Sequence, residues 1–257
     1  MKVTVLGCGW SMGIPIIGCD CAVCTSTNPK NKRRRVSVFV EVDGVNLLID
    51  TAPDLRLQAL DNKITRLDAV LYTHDHYDHS GGLDDLRRFC GLQKEKIKVY
   101  GSKQTLESLK IKHSHAFSAA DMKPEWFKLY LEPYTVRMNK PFKIKGVEIK
   151  PFPQIHGRNS SIGYRIGNFA YSTDVNNFSD ACFDNYLSGL DLWVVDCQSY
   201  SPGIAHSDVA RTLQWIKRVN PKRAILTHMG HEIEYEKIKS ELPLGVEPGY
   251  DGMEIEL

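Results

Sequence analysis

The sequence lacks any apolar run approaching the roughly 20 residues of a membrane-spanning helix, and its first residues lack the charged start and apolar core of a secretion signal. A cytoplasmic protein with no membrane partner is the expectation. Charge of one sign is not in excess either: 33 Lys and Arg stand against 31 Asp and Glu, a net charge of +2. A large nucleic-acid footprint needs a basic face that this balance does not supply, and the single basic run, Lys30 to Arg35, reads as a solvated loop. An even set of cysteines at disulfide spacing is missing as well. Of the 7 present, Cys19, Cys21 and Cys24 crowd together, while Cys8, Cys90, Cys182 and Cys197 are scattered as small core residues are. Nothing in the 257 residues marks a second domain, so residues 1–257 read as a single α/β domain.

A nucleotide fingerprint is absent too. The strand-like Met1 to Leu6 runs into Gly7-Cys8-Gly9-Trp10-Ser11-Met12-Gly13, spaced G-x-G-x-x-x-G, and Pro15 and the cysteines follow where an amphipathic helix is needed. These glycines read instead as a tight backbone turn beside a metal site.

What the chain does have is imidazole and carboxylate at strand ends. Thr73-His74-Asp75-His76-Tyr77-Asp78-His79 follows the apolar run Leu67 to Tyr72. First-row divalent ions prefer such ligands, a neutral imidazole giving one lone pair to the metal while its other nitrogen is held by a partner. His74 and His76 alternate as on an extended strand and can face one ion; Asp78 and His79 come after a turn and can face a second. His156 ends another strand, Asp174 ends the following hairpin as a carboxylate able to bridge two cations, and His228 closes the strand Lys222 to Thr227. Asp50, at the end of Val45 to Asp50, is assigned to accept the second N–H of a ligating His. Three thiolates from Cys19, Cys21 and Cys24 suit a structural zinc, and His231, three residues after His228, is the best fourth ligand. His206 stands where a polar loop meets a helix marked by Val209, Leu213 and Ile216, with Ser207 or His206 near its cap. His113 and His115, although spaced like ligands, follow a helix-like segment and are left out of the centre. The aromatic residues Trp126, Phe127, Tyr130 and Tyr134 read as core packing or a substrate lid.

The spacing His-x-His-x-Asp-His, followed in order by His156, Asp174 and His228, resembles the metallo-β-lactamase superfamily over nearly the whole chain. The resemblance implies a four-layer αββα sandwich with ligands on loops at one edge of two packed sheets. It places His74, His76 and His156 on one metal and Asp78, His79 and His228 on another, with Asp174 between them. Superfamily lactamases commonly lack this Asp, whereas phosphodiesterases, tRNA-processing nucleases and glyoxalase-type thioesterases have it, which disfavours a β-lactam substrate. The opening glycines, Pro15, Gly18-Cys-x-Cys-x-x-Cys and the closing Gly249-Tyr250-Asp251-Gly252-Met253-Glu254 look like the PhnP-type phosphodiesterases. Those enzymes carry an extra zinc on three Cys and one His, lack the nuclease substrate arm and open cyclic ribose phosphates; a His matching His206 is implicated in catalysis.

The implied enzyme is a binuclear phosphodiesterase with two divalent ions (Mn or Zn) and one structural Zn. It hydrolyses a small cyclic phosphate or nucleotide-like diester, such as a phosphoribosyl cyclic phosphate, by attack of hydroxide formed between the ions, with Asp78 in the catalytic cluster and His206 as general acid. The alternatives are a tRNA 3′-processing endonuclease, a glyoxalase-type thioesterase and a non-catalytic metal-binding accessory protein. A homodimer is the default assembly.

Overall fold

The computed structural model describes residues 1–117 and 130–257; Trp126 and Phe127 lie outside the described residues. Among the described residues the strands form two seven-stranded sheets. The first contains β1 (Lys2–Gly7), β2 (Ser37–Val42), β3 (Val45–Ile49), β4 (Ala69–Leu71), β5 (Ile97–Gly101) and β6 (Leu131–Thr135) in chain order. The second contains β7 (Phe142–Ile144), β8 (Val147–His156), β9 (Asn159–Ile166), β10 (Phe169–Ser172), β11 (Leu192–Asp196), β12 (Arg223–Thr227) and β13 (Val246–Pro248), and β14 (Met253–Glu256) returns to pair with β1. Each sheet joins an antiparallel meander to a parallel run, β3 to β6 in one and β10 to β13 in the other.

The layers follow from the two-residue side-chain period of a strand. Val5, Val38, Leu47 and Ala69 enter the core between the sheets, whereas their neighbours Leu6, Phe39, Leu48 and Val70 enter a second core on the outer face. A one-residue slip of β3 would exchange the two faces, and since both are buried the register is strongly specified. Helices α1 (Leu55–Asp61), α2 (Tyr77–Ser80), α3 (Leu86–Gln93), α4 (Lys103–Lys112) and α5 (Ser114–Phe117) lie between the strands of the first sheet. Leu55, Leu86, Phe89, Leu106 and Leu109 close its outer core. After α6 (Asp180–Cys182), α7 (Val209–Val219) and α8 (Tyr235–Glu241) bring Trp215, Ile216 and Ile238 against the second sheet, where Phe178 packs between Trp193 and Trp215 at 6.0 and 4.9 Å. Two mixed sheets flanked by helices give the αββα sandwich.

The β2–β3 connection has the expected type I′ geometry, with φ of 49° at Asp43 and 75° at Gly44. Asp84 and Asp85 belong to a separate 3₁₀ turn, Leu83–Asp85, rather than to the first turn of α3. The basic run departs further from expectation, because Arg33 is only 1% exposed. Its guanidinium donates to the carbonyls of Gly230 (3.2 Å) and Ile233 (2.7 Å), which gives the buried charge its acceptors in the passing loop. Among the described residues no helix is long and apolar enough to cross a membrane.

Candidate metal centre

At one edge of the sandwich the sheets are joined directly. Ile162 N–H donates to Thr73 O at 3.0 Å, and the Tyr164 hydroxyl donates to Tyr72 O at 2.8 Å. The chain leaves β3, β10 and β12 on this edge, and just beyond each strand a non-glycine residue takes a left-handed conformation: Asp50 (φ 62°), Asp174 (φ 54°) and His228 (φ 59°). Such conformations cost about 1–3 kcal/mol each and persist only where the surroundings fix them. All three side chains enter one buried cluster.

The residues read as ligands separate into two groups that share Asp174. His74, His76, His156 and Asp174 offer donor atoms within 4.8 Å of one another, as do Asp78, His79, Asp174 and His228. Asp174 divides its oxygens between them. Oδ1 lies 3.8 Å from His74 Nε2 and 3.7 Å from His156 Nε2, while Oδ2 lies 3.0 Å from His79 Nε2 and 3.5 Å from His228 Nε2. His76 Nδ1 is 2.9 Å from His74 Nε2, and Asp78 Oδ2 is 3.2 Å from His79 Nε2 and 3.6 Å from His228 Nε2.

The opposite ring nitrogens are held by other groups. His79 Nδ1–H donates to Asp50 Oδ2 at 2.7 Å, His74 Nδ1–H to Thr73 Oγ1 at 3.0 Å, and the Thr73 hydroxyl to Asp50 Oδ2 at 2.7 Å. His156 Nδ1–H donates to the Ala205 carbonyl at 2.8 Å. Asp50 thus has the outer role expected of it, and through Thr73 it reaches both groups. Sequence reasoning did not single out Thr73.

The electrostatics favour a cation. Burial would raise the Asp174 pKa, but His228 and His79 hold it well below the usual carboxylate range. Burial would lower that of His79, yet Asp174, Asp78 and Asp50 around it carry it well above the usual value. His74 and His156 are pushed down by burial, which favours the neutral imidazole that a metal needs. Among the described residues, Nε2 of His79 and both ring nitrogens of His228 are buried with no hydrogen-bond partner. Buried nitrogens left unpaired beside converging carboxylates fit divalent ions.

His206 joins this cluster rather than capping α7. The cap is Asp208, whose side chain accepts from Arg211 N, so the expected capping role of Ser207 or His206 is corrected. The His206 ring stacks on His228 at 4.6 Å and meets His156 edge-on at 4.8 Å. Burial alone would lower its pKa, but the hydrogen bond from Nδ1–H to Asp196 Oδ2 (3.2 Å) raises it to about 9. Asp196, fully buried at the end of β11, is a site residue that sequence reasoning missed. Its place at a strand end, like that of Asp50, was the available signal.

The cysteines meet their expected partner. His231 Nδ1 lies 3.4 Å from Cys19 Sγ and 3.5 Å from Cys21 Sγ, Cys24 completes the group, and Trp10 stacks on the imidazole at 5.4 Å. The backbone N–H of Cys24 holds the Cys21 thiol down to about 6, so a thiolate is available for zinc. His113 and His115 stand apart from these centres, beside Asp84.

A cleft of about 360 Å³ opens beside the first group, with His74, His76, Ser102, Arg158 and Ser160 in its wall. Among the described residues Arg158 has no acidic partner, whereas Asp75, also in the wall, is paired with Lys112 at 2.9 Å. A larger open cleft, about 550 Å³, lies at Lys32, Arg34, Asp61 and Asp251, away from the imidazoles, and there Arg34 and Asp61 neutralise each other at 2.7 Å.

A sandwich that collects two imidazole groups around one carboxylate at its edge is the architecture of a metal-dependent hydrolase. A family model described as the beta-lactamase superfamily domain matches residues 45–229, which take in both groups. The crystal structure of a new diphosphatase from the PhnP family has a TM-score of 0.92 and 35% identity, covering 100% of this chain and 98% of that one. The chain belongs to the metallo-β-lactamase superfamily and, within it, to the PhnP type. It is also 32% identical over 256 residues to an octanoyltransferase of Porphyromonas gingivalis strain W83, a match covering 99% of this chain and 51% of that protein, so the chain spans about half the length of that relative. Zn(2+)-bound PqqB from Methylobacterium extorquens, at 20% identity, shares the fold over the whole of both chains with a TM-score of 0.81.

Proposed function

We propose that this hydrolase is a binuclear phosphodiesterase acting in the cytoplasm on a small cyclic phosphate or nucleotide-like diester. The supporting observation is the split carboxylate of Asp174, with Oδ1 facing His74 and His156 and Oδ2 facing His79 and His228. When bound, two adjacent divalent ions, Mn or Zn, supply a water acidified to near neutrality and charge neutralisation for in-line displacement at phosphorus.

The chain's own residues do the rest. Asp78, His79 and His228 would hold one ion, and His74, His76 and His156 the other. Asp50 and Thr73 keep the Nε2 lone pairs of His79 and His74 facing inward. Arg158 and the hydroxyl of Ser160 offer the ester an anion-binding wall, and a cleft of this size suits a small molecule rather than a nucleic-acid strand. His206, charged at neutral pH through Asp196, gives the Nε2 proton to the departing alkoxide as the P–O bond breaks. It is recharged by the proton that the attacking water releases, so one water is consumed and a monoester and an alcohol result. A third ion, zinc on Cys19, Cys21, Cys24 and His231, is structural in this reading.

The test is hydrolysis of bis(p-nitrophenyl) phosphate against p-nitrophenyl phosphate after metal stripping and reconstitution with Mn or Zn. Diester cleavage that needs metal and is lost in Asp174→Ala is the expected result. A folded, fully metallated protein that cleaves a glutathione thioester but no diester would overturn it.

A further inference from the structure

A third group of metal-binding side chains lies outside both centres. Asp84, in the 3₁₀ turn Leu83–Asp85, faces His113 at the end of α4 and His115 on α5, and the three offer donor atoms within 4.8 Å of one another. Asp84 Oδ1 accepts from the Tyr130 hydroxyl at 2.7 Å and lies 2.7 Å from His115 Nε2 and 3.6 Å from His113 Nδ1. Two donors at 2.7 Å use both lone pairs of that oxygen, and a nitrogen at 3.6 Å is out of hydrogen-bond reach. Among the described residues Nδ1 of His113 and Oδ2 of Asp84 are therefore left over, next to a second imidazole. The two rings are 6.1 Å apart and inclined at 61°, so they approach a common point from different directions. Asp84 is 59% exposed at its side chain and His115 37%, which leaves the group open to an ion from solution. Burial lowers the His113 pKa, consistent with a neutral imidazole.

We propose that Asp84, His113 and His115 form a further binding site for a divalent transition-metal ion of the zinc class, with Tyr130 bonded to the carboxylate ligand and water completing the coordination. Two imidazoles and one carboxylate with an open position suit zinc far better than magnesium or calcium, which prefer oxygen. An ion here would have a structural consequence. Asp84 follows α2, the helix that carries Asp78 and His79, whereas His113, His115 and Tyr130 flank residues 118–129. The ion would clip both flanks of that segment to the turn behind the second metal group.

The experiment is a metal count on the full chain. Wild type and His113→Ala/His115→Ala are loaded with zinc, dialysed against a competing chelator of graded strength and analysed for bound zinc by mass spectrometry, with Asp84→Asn as a milder second variant. Neither variant touches the residues assigned to catalysis, so bis(p-nitrophenyl) phosphate hydrolysis serves as a check of folding. The expected result is one zinc per chain fewer in the double variant at chelator strengths where wild type keeps it, an intermediate affinity in Asp84→Asn, and retained zinc at the other centres. Equal zinc content in all three proteins at every chelator strength would overturn the proposal, as would an extra ion in wild type that survives in the double variant.

Discussion

Asp50→Asn is the most informative single change, because one buried carboxylate orders both metal groups. Asp50 is fully buried and accepts three bonds: His79 Nδ1–H (2.7 Å) and the Thr73 hydroxyl (2.7 Å) on Oδ2, and Thr73 N–H (2.8 Å) on Oδ1. Asparagine keeps the shape and tolerates the left-handed backbone, but it offers one oxygen. If that oxygen serves His79, the new NH₂ meets Thr73 N–H. In the reverse orientation His79 and the Thr73 hydroxyl lose their acceptor, and His79 would turn an N–H toward the metal. The milder outcome leaves one buried donor unpaired, a cost of about 1–3 kcal/mol. Loss of such an outer partner weakens metal affinity by about 10–100-fold. Since Thr73 passes the restraint to His74 at 3.0 Å, both groups are expected to weaken. Chelator competition reads the affinities, and diester hydrolysis should recover substantially when metal is in large excess. Metal affinity equal to wild type in a folded Asp50→Asn protein would refute the reasoning.

Three further outcomes are expected. His206→Gln should lower kcat by about 10²–10⁴-fold on a diester with an alkoxide leaving group but far less on p-nitrophenyl esters, whose leaving group needs no proton; an equal loss on both would deny His206 the role of acid. Cys24→Ser should lose one zinc per chain and lower Tm while the imidazole centres keep their metal, so an unchanged zinc content would remove the cysteines from that site. Asp251, whose oxygens accept from Arg34 N (2.7 Å) and Cys8 N (3.2 Å), is raised by burial from 3.8 to about 7. A carboxyl raised on folding adds stability that is fully present below pH 4 or so and is lost as pH rises through about 7. The Tm advantage of wild type over Asp251→Asn should therefore shrink by several degrees between pH 5 and pH 8, and parallel pH curves for the two proteins would count against it.

The sequence was most legible where function is local in the chain. The run His74 to His79 is visible because several ligands stand next to one another, and His156, Asp174 and His228 because each ends an apolar strand. The strands β1 to β4 were equally readable, since burial on both faces makes each a short run of mostly apolar residues. Interactions between distant residues left weaker marks. Asp196 is a strand-end carboxylate like Asp174, but only its 3.2 Å approach to His206 shows its task. Arg33 sits among charged neighbours that suggest a solvated loop, and its burial depends on carbonyls nearly 200 residues away at Gly230 and Ile233. Asp208 took the helix cap from Ser207 and His206 because its carboxylate reaches Arg211 N, a choice between adjacent polar residues that composition does not make.

The chain completes six strands of one sheet before beginning the other, and the metal groups are divided accordingly. His74, His76, Asp78 and His79 come from the first half, and His156, Asp174 and His228 from the second. Each ion would act as a rivet through the seam between the halves. Without those ions the His79 imidazolium, 3.2 Å from Asp78 and 3.0 Å from Asp174, is left to bridge the two carboxylates across that seam. Scarcity of metal in the cell would therefore shorten the protein's lifetime as well as slow its turnover, so that the amount of enzyme present follows the supply of the ion it needs.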